Sequence, residues 1–518
     1  MRRRAFLQVT AASAIGAAAS RARAEAPTNL LFLMCDQLRW DALACAGNPV
    51  VATPALDRLA REGARFAEAH TYCPICVPAR SVMLTGLTTA QLNVTGNGDY
   101  DAPDLPRVPT FDSVLAGRGY RAEYYGKWHA PYQLAACYGN RVRQTGKHSR
   151  DDADGSELAG YAAWLAANGV KPRDPAPGEL LDKHSGRPYR PIALDENYAN
   201  RNAADPRARV GKNSGCYGCL DLPAESSRVA FAASETLRAL ERLAGEPFSL
   251  TCSFGPPHPP MLVTEPWFSR HAPDTLPLPR SLADPMTHSP YRERAATMQP
   301  YRDPANIRAM RAIYFGLVEE IDHWVGRILD RLDALGLAQR TLVVFTADHG
   351  EMLGDHGMQS KMVFYDGAQR VPLLLRLPGA IAPGTVVPGP VSMLDIGATI
   401  VDYLGASGPS LGGASLRSRV EGKSAAQPVV AEWRGGSTPA YMVRAGDYKL
   451  MMGSRRRVPS VDALYNLRED PDELTNLLAG GTVAAADRQV ARELRDQLVA
   501  WLRATAPSAV ASVVEHEL

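Results

Sequence analysis

The sequence predicts an α/β protein in which a mixed, mostly parallel central sheet is sandwiched by helices and followed by a smaller carboxy-terminal α+β subdomain. Apolar runs at 30–35, 122–125, 248–254, 342–346 and 372–377 have the length of strands and are separated by helical segments. Strands that alternate with helices form largely parallel sheets covered on both faces. The length of 518 residues predicts two or three domains.

The amino-terminal segment, residues 1–24, has the three regions of a bacterial export signal. Arginines at 2–4 precede an alanine-rich run that reaches Ala19, and the small residues at 22–24 resemble a cleavage site. The order Arg-Arg-x-Phe-Leu is typical of twin-arginine signals, so we expect a periplasmic or secreted protein that is exported folded. No later stretch reaches the roughly 20 apolar residues of a membrane helix, so no stable membrane span is predicted.

The next segment, 25–405, is predicted to be the large α/β domain. Thr53 and Pro54 have the residue types of a helix N-cap and a first helical residue. A long amphipathic helix precedes the fourth apolar run. Its apolar face consists of Ile313, Leu317, Ile321, Trp324, Ile328 and Leu332. The stretches 141–228 and 256–304 are polar or proline-dense and lack periodicity, which predicts insertion loops.

The last segment, 406–518, is predicted to be the smaller subdomain. It begins with a Gly/Ser-rich stretch up to residue 422, which is typical of a linker. Three strand candidates follow, at 429–433, 441–444 and 448–452. A closing helix at 485–504 has Val490, Leu494, Leu498 and Leu502 at helical spacing. This order predicts an antiparallel sheet packed against one helix.

Charge and cysteine content restrict the possible partners. A formal net charge of +2 gives no bulk attraction to nucleic acid, so no nucleic-acid partner is predicted. Eight cysteines in so long a chain do not make a disulfide scaffold. Cys73 with Cys76 and Cys216 with Cys219 form C-x-x-C pairs, which alone indicate zinc or redox sites. The pairs are too far apart for a zinc ribbon, and for the second pair a disulfide and a plain loop both stay open.

The most informative run is 76–86, Cys-Val-Pro-Ala-Arg-Ser-Val-Met-Leu-Thr-Gly. Pro78 fits the first turn of a helix, where its missing N–H costs nothing. Cys76 then lies at the helix N-terminus, where free N–H groups and the helix dipole favour a tetrahedral anion. Arg80, one turn further, adds a planar cation for sulfuryl or phosphoryl oxygens. The run therefore predicts an anion site that includes Cys76.

Two predicted strands end in side chains of the types that bind metals. The first leads into Asp36 and Gln37, and the fourth leads into Asp348 and His349. A single aspartate after a strand more often caps a helix or a turn. Open α/β sheets, however, place their ligand sites at the carboxyl ends of strands. Two carboxylates, an amide oxygen and an imidazole from adjacent strands predict a divalent-metal site.

The run 76–86 fits the pattern Cys-x-Pro-x-Arg followed by Leu-Thr-Gly, and by it the chain resembles the formylglycine-dependent, cysteine-type sulfatases of the alkaline phosphatase superfamily. The resemblance covers nearly the whole mature chain. It implies that a formylglycine-generating enzyme oxidises Cys76 to formylglycine before export. It also implies that the protein hydrolyses the sulfate ester of a small substrate to an alcohol and inorganic sulfate.

The resemblance further implies a metal site. Asp36 and Asp348 match the family's metal carboxylates, and the modified Cys76 completes the ligand set. Gln37 stands where many members have a second acid, and His349 stands where asparagine is common. The metal is Ca²⁺ by family, while an imidazole ligand leaves Mg²⁺, Mn²⁺ or Zn²⁺ open.

Four further residues match catalytic elements of the family: Lys127 and His129 in a Lys-x-His element, His258 at a strand end, and Lys361 as the second lysine. In the implied mechanism, hydrated formylglycine attacks sulfur while Arg80 and both lysines stabilise charge on the sulfuryl oxygens. His258 or Lys361 protonates the departing alkoxide. His129 then removes the proton whose loss expels sulfate.

Two other functions remain as alternatives. A phosphonate monoester or phosphodiester hydrolase would use the same site, but that branch lacks the Lys-x-His element of residues 127–129. Asn97, a candidate substrate-binding residue, occurs in both branches. A non-catalytic sulfate-ester-binding protein would leave Cys76 unoxidised, which the full set of matching residues disfavours. Aryl, sugar and alkyl sulfates such as choline sulfate all stay open as substrates, with selectivity expected from the loops at 141–228 and 259–304.

Overall fold

The structure is a computed structural model. It describes residues 28–99, 102, 104–138, 142–144, 156–172, 176, 179–182, 184–192, 217–298, 302–406, 411–434, 439–452, 462–480 and 483–515. The predicted export signal and Cys216 lie outside the described residues, so the signal stays a prediction, and the choice between a disulfide and a plain loop for Cys216 and Cys219 stays open.

The described strands form three sheets. In chain order they are β1 (Asn29–Asp36), β2 (Ala64–His70), β3 (Arg121–Gly126), β4 (Val142–Gln144), β5 (Leu180–Leu181), β6 (Pro188–Pro191), β7 (Tyr217–Leu220), β8 (Phe248–Pro257), β9 (Met261–Val263), β10 (Thr341–Ala347), β11 (Arg370–Val371), β12 (Leu373–Arg376), β13 (Thr385–Ser392), β14 (Val429–Trp433), β15 (Ala440–Ala445), β16 (Tyr448–Met452) and β17 (Ala463–Asn466). The central nine-stranded sheet has the order β11-β2-β12-β10-β1-β8-β3-β4, with β13 paired to β2. Strands β14 to β17 form a second sheet, and β5, β6, β7 and β9 form a third.

The central sheet is mixed and mostly parallel, as predicted. Strand β1 pairs in parallel with β10 on one side and β8 on the other, and β3 continues in parallel beside β8. Strand β12 runs antiparallel to β10 and to β2. Strand β2 was not predicted, because its sequence Ala-Arg-Phe-Ala-Glu-Ala-His lacks the β-branched residues that mark strands.

The described helices include those that cover both faces of this sheet. In chain order they are α1 (Pro54–Glu62), α2 (Cys76–Thr85), α3 (Thr89–Leu92), α4 (Phe111–Ala116), α5 (Ser156–Ala167), α6 (Arg228–Leu243), α7 (Arg292–Ala296), α8 (Pro304–Ala334), α9 (Asp366–Gln369), α10 (Ile396–Tyr403), α11 (Arg417–Val420), α12 (Ala485–Thr505) and α13 (Val510–Val514). One layer contains α2, α4 and α10, and Phe111 of α4 contacts Phe32 of β1 with ring centroids 5.5 Å apart. The other layer contains α1, α6 and α8. None of the described helices combines the length and the apolar character that crossing a membrane requires.

The carboxy-terminal subdomain consists of the antiparallel sheet β14–β17 with α12 packed against β15 and β16. Part of the stretch that was predicted to be a linker is attached to the large domain, because the N–H of Gly412 donates to the carbonyl oxygen of Thr85 at 3.1 Å. Gly86, which ends α2 with φ 69°, approaches the same residue so closely that a Cβ there would lie 2.1 Å from the oxygen of Gly412. The stretch before the subdomain therefore packs against the carboxyl end of the helix that begins at Cys76.

Candidate active site

Helix α2 presents Cys76 in its first position and is buried along its whole length. Ile75, which precedes it, is extended and supplies no side-chain cap. Instead, the side-chain oxygen of Asn97 accepts a hydrogen bond of 3.0 Å from the N–H of Val77. An oxygen in this position satisfies one of the free N–H groups of the first turn. Asn97 therefore fixes the start of the helix that carries Cys76.

Two strand ends supply the acids. Strands β1 and β10 are parallel neighbours with Cys35 opposite Ala347, so Asp36 and Asp348 follow side by side at the same sheet edge. Gln37 has left-handed backbone, with φ 69°. In this conformation its N–H donates to Oδ1 of Asp348 at 3.0 Å. The register of the sheet thus places both carboxylates in one site.

Four side chains converge there as possible metal ligands. One ligand atom from each of Asp36, Cys76, Asp348 and His349 lies within 4.8 Å of the others, and all four residues are buried. Sγ of Cys76 lies 3.1 Å from Nε2 of His349 and 3.9 Å from Oδ1 of Asp36. The other ring nitrogen, Nδ1, lies 3.0 Å from the carbonyl oxygen of Gly350, which only accepts. Nδ1 therefore carries the hydrogen, and in the neutral imidazole Nε2 has a lone pair, so the donor set fits a divalent cation.

Gln37 adds a further oxygen to this cluster. Its Oε1 accepts from Nζ of Lys361 at 2.6 Å, and its Nε2 donates to the carboxylate of Glu351. Nζ of Lys361 also lies 3.3 Å from Sγ of Cys76. Lys361 therefore links the side-chain oxygen of Gln37 to the sulfur of Cys76.

Lys127 enters the site from the end of β3. It forms an ion pair with Asp36, and both side chains are buried. Gly126 before it has φ 102°, and a Cβ there would lie 1.9 Å from the carbonyl oxygen of Ser253. Only glycine therefore allows the close approach of β3 to β8 that brings Lys127 to Asp36.

The charges of the cluster favour an anion at position 76. Burial and the carboxylate of Asp36 act to raise the pKa of the Cys76 thiol. The cationic side chains Lys361 and Lys127 act in the opposite direction and prevail, so this pKa is lowered from its ordinary value. Burial alone would also raise the pKa of Asp36, but Lys127 and other nearby cations hold it well below its usual range.

Arg80 is buried beneath the two acids, and its donors are directed to the protein. Nε donates to Oδ2 of Asp348 at 2.7 Å, and Nη2 donates to Oδ2 of Asp36 at 3.4 Å. Nη1 donates to the carbonyl oxygens of Lys127 at 2.7 Å and Trp128 at 3.1 Å. Arg80 thus positions both carboxylates and the strand end that carries Lys127, a function that the sequence pattern did not indicate.

Replacing Arg80 with methionine is expected to lower the free energy of unfolding by about 3–5 kcal/mol, because it leaves two buried carboxylates without their shared cation. Urea denaturation measures this change. The matched control is Arg468→Met, since the Arg468–Asp447 pair is largely exposed and should contribute less than about 1 kcal/mol. Equal changes in the two variants would contradict the structural role of Arg80.

Two other histidines, His258 and His129, were predicted to transfer protons, and His258 lies close enough to the cluster to feel its charges. Nδ1 of His258 is 2.6 Å from the carbonyl oxygen of Pro259, so Nδ1 carries the hydrogen. Burial, followed by the charge of Lys127, lowers the pKa of His258 well below its ordinary value. His129 is buried, has φ 49°, and directly follows Trp128, whose carbonyl oxygen binds Arg80.

Two residues near the site were not predicted. Glu351 is completely buried and accepts from the amide of Gln37. Arg294 of α7 donates to the carbonyl oxygen of Lys361 at 2.7 Å, so the stretch predicted as an insertion loop contacts the site. The position of Glu351, three residues beyond Asp348, was a usable signal, whereas nothing in the sequence marked Arg294.

A buried cysteine at a helix start, with strand-end acids and two lysines around it, forms a site whose cations suit an anionic ligand. The sulfatase family model matches residues 28–406, and a model of the carboxy-terminal part of N-sulphoglucosamine sulphohydrolase matches residues 354–501. The chain belongs to the sulfatase family, whose members hydrolyse sulfuric esters.

Individual relatives agree with this family. A choline-sulfatase of Rhizobium meliloti (strain 1021) is 28% identical, over 90% of this chain and 86% of its own length. An arylsulfatase of Clostridium perfringens (strain 13 / Type A) is 27% identical, over 87% of this chain and 90% of its own length. The solved structure of a phosphonate monoester hydrolase from Silicibacter pomeroyi has the same fold, with a TM-score of 0.73 at 23% identity, covering 93% of this chain and 96% of that one.

Proposed function

We propose that the protein hydrolyses the sulfate ester of a small molecule to an alcohol and inorganic sulfate, with formylglycine at position 76 and a divalent cation beside it. The position of the Cys76 sulfur carries this proposal. Sγ lies 3.1 Å from Nε2 of His349, 3.3 Å from Nζ of Lys361 and 3.9 Å from Oδ1 of Asp36. An oxygen on residue 76 would occupy the same space, between the candidate metal ligands and a lysine.

The metal would be held by Asp36, Gln37, Asp348 and His349, together with residue 76. A divalent cation there would supply positive charge to the oxygens of the nucleophile and of the sulfuryl group. We propose Ca²⁺, with Mg²⁺ and Mn²⁺ as alternatives, because carboxylate and amide oxygens suit all three.

Formylglycine would require oxidation of Cys76 by a formylglycine-generating enzyme in the host. Its hydrated aldehyde offers one oxygen to attack sulfur and a second hydroxyl whose deprotonation releases sulfate. The surrounding cations support a negative charge at this position, as the lowered pKa of the Cys76 thiol indicates. The extended residue Ile75 and the cap from Asn97 hold residue 76 in place at the helix start.

The other side chains bind the substrate and move protons. Lys127 and Lys361 bring two positive charges to the cluster and are the groups placed to bind sulfuryl oxygens. Lys361 and His258 are the candidate donors for the departing alkoxide, and His129 is the candidate acceptor for the proton of the second hydroxyl. Arg80 acts through Asp36 and Asp348 as a positioning residue.

A phosphonate monoester hydrolase is the second candidate function, because a solved enzyme with that printed activity has the same fold over most of the chain. The ion pair between Lys127 and Asp36 favours the sulfatase instead. The pair joins Lys127, the lysine of the Lys-x-His element, to a candidate metal ligand, and the family resemblance implies that the hydrolase branch lacks this element.

Purified protein should therefore hydrolyse sulfate esters with a higher kcat/KM than phosphonate monoesters, phosphodiesters or phosphate monoesters of the same alcohol. The assay uses one aryl alcohol throughout, so that leaving-group reactivity is constant, and adds choline sulfate and sulfated mono- and disaccharides to find the substrate class. A higher kcat/KM for the phosphonate ester would favour the second candidate. Binding of sulfate esters without turnover would favour the non-catalytic alternative.

We also propose that the protein is exported in the folded state to the periplasm or beyond. The proposal rests on the residues at 2–24 alone. Replacing both arginines of the Arg3-Arg4 pair with lysine should leave the protein in the cytoplasmic fraction. Unchanged export of that variant would contradict the twin-arginine route.

A further inference from the structure

We propose that Glu351 is a positioning residue that directs the side-chain amide oxygen of Gln37, Oε1, toward the cation site. This inference rests on the proposed function, since it assigns a purpose to a residue beside the proposed metal ligands. Gln37 stands where a carboxylate would present oxygens in either orientation. An amide presents an oxygen only when it is turned the right way, so a glutamine at this position needs a partner that fixes its orientation.

The contacts of Glu351 meet that need. Its Oε1 accepts from the main-chain N–H groups of Leu353, at 3.1 Å, and Ser360. Its Oε2 accepts from Nε2 of Gln37. The side chain is completely buried, so water does not compete for these oxygens. A carboxylate accepts and does not donate, and therefore only the NH₂ side of the Gln37 amide can face Glu351.

The other side of the amide faces the cluster. Oε1 of Gln37 accepts from Nζ of Lys361 at 2.6 Å, and the same Nζ lies 3.3 Å from Sγ of Cys76. The main chain of Gln37 is fixed as well, because its N–H binds Asp348 and its carbonyl oxygen accepts from the hydroxyl of Tyr314 at 2.8 Å. The side-chain torsions of Gln37 are not fixed by these main-chain bonds, and the bonds of its amide to Glu351 and Lys361 fix them.

The substitution Glu351→Gln should reverse the Gln37 amide. The two N–H groups of residues 353 and 360 require an oxygen, so the new amide must turn its NH₂ group toward Gln37. Gln37 must then turn its own oxygen to that NH₂ group. Its Nε2 would consequently point at Nζ of Lys361 and at the cation site, where a donor repels both. We expect the dissociation constant of the cation to rise by about 10–100-fold, as for other residues that orient metal ligands.

A second substitution should restore the site. In the double variant Gln37→Glu/Glu351→Gln, the NH₂ group of residue 351 donates to one carboxylate oxygen of residue 37, and the other oxygen faces Lys361 and the cation. Residues 37 and 351 then form the same hydrogen bond as in the unaltered protein, but residue 351 is the donor and residue 37 is the acceptor. A general loss of stability at position 351 would not be reversed by a change at position 37, so this rescue separates positioning from a merely structural role.

Isothermal titration calorimetry of the full chain with Ca²⁺, Mg²⁺ and Mn²⁺ tests the inference without an activity assay. Glu351→Gln should bind the cation about 10–100-fold more weakly than the unaltered protein, and the double variant should bind at least as tightly as the unaltered protein. The matched control is Glu320→Gln, because Glu320 is equally buried but binds Ser227 on another part of the fold. The affinity of Glu320→Gln for the cation should equal that of the unaltered protein.

The outcomes distinguish this inference from the proposed function. If the unaltered protein binds no divalent cation, the metal site of the proposed function fails and this inference fails with it. If the unaltered protein and Glu351→Gln bind with equal affinity, only the inference fails. Should Glu351→Gln not fold, the comparison rests on the double variant, and weak binding there would overturn the inference.

Discussion

Exhaustive chelation is expected to reduce sulfate-ester hydrolysis by about 10³-fold or more, and one divalent cation is expected to restore it on re-addition. Two buried carboxylates and an imidazole surround the sulfur of Cys76, and Lys361 links the amide oxygen of Gln37 to the same sulfur. A cation bound among them is the largest charge in the site, so its loss removes the main stabilisation of the developing negative charge.

The measurement is the initial rate after dialysis against chelator, followed by titration with Ca²⁺, Mg²⁺ and Mn²⁺ in separate samples. Circular dichroism of the chelated protein is the control that the fold persists. The cation that restores activity at the lowest concentration identifies the metal. Full activity after exhaustive chelation would contradict the assignment of Asp36 and Asp348 as metal ligands.

The variant Cys76→Ala is expected to remain folded and to lose activity by at least about 10⁴-fold, as when other catalytic nucleophiles are removed. The sulfur contacts polar groups of the site, namely Asp36, His349 and Lys361, so its removal costs little apolar packing. Alanine also has the highest helix propensity, so the first turn of α2 should persist. Urea denaturation and initial rates measure the two effects separately.

Cys73→Ala is the matched control, because Cys73 is equally buried and only three residues away. It lies in an apolar cluster with Ile75, Val77 and Leu92 and should keep most of the activity. If both variants lost activity alike, a functional dithiol formed by Cys73 and Cys76 would be the better explanation.

The sequence was sufficient to predict the central strands and the acids at their ends because those signals are local. An apolar run followed by an acid marks the end of a buried strand, and both Asp36 and Asp348 follow such a run. The prediction that β1 and β10 are neighbours rested only on the family resemblance and on the alternation of strands and helices. Strand β17, with only four residues, escaped prediction because so short a segment has no periodicity to detect.

Long-range contacts could not be predicted in the same way. Arg80 belongs to the recognised motif, yet its binding to Asp36 and Asp348 depends on how α2 packs against the ends of β1 and β10. Arg294 reaches Lys361 across 67 residues of chain. The orientation of the Gln37 amide is determined by Glu351, whose own position depends on the N–H groups of Leu353 and Ser360. Such partners are set by tertiary packing, which a single sequence does not display.

The central claim is that residue 76 acts as formylglycine, and peptide mass spectrometry of catalytically active protein tests it most directly. The peptide that contains residue 76 should be roughly 18 Da lighter than the sequence requires, because oxidation converts the CH₂SH group to an aldehyde, with loss of H₂S and gain of one oxygen. The modified fraction should rise in proportion to specific activity across preparations made with and without a formylglycine-generating enzyme. Full activity in protein whose residue 76 is an unmodified thiol would contradict the account.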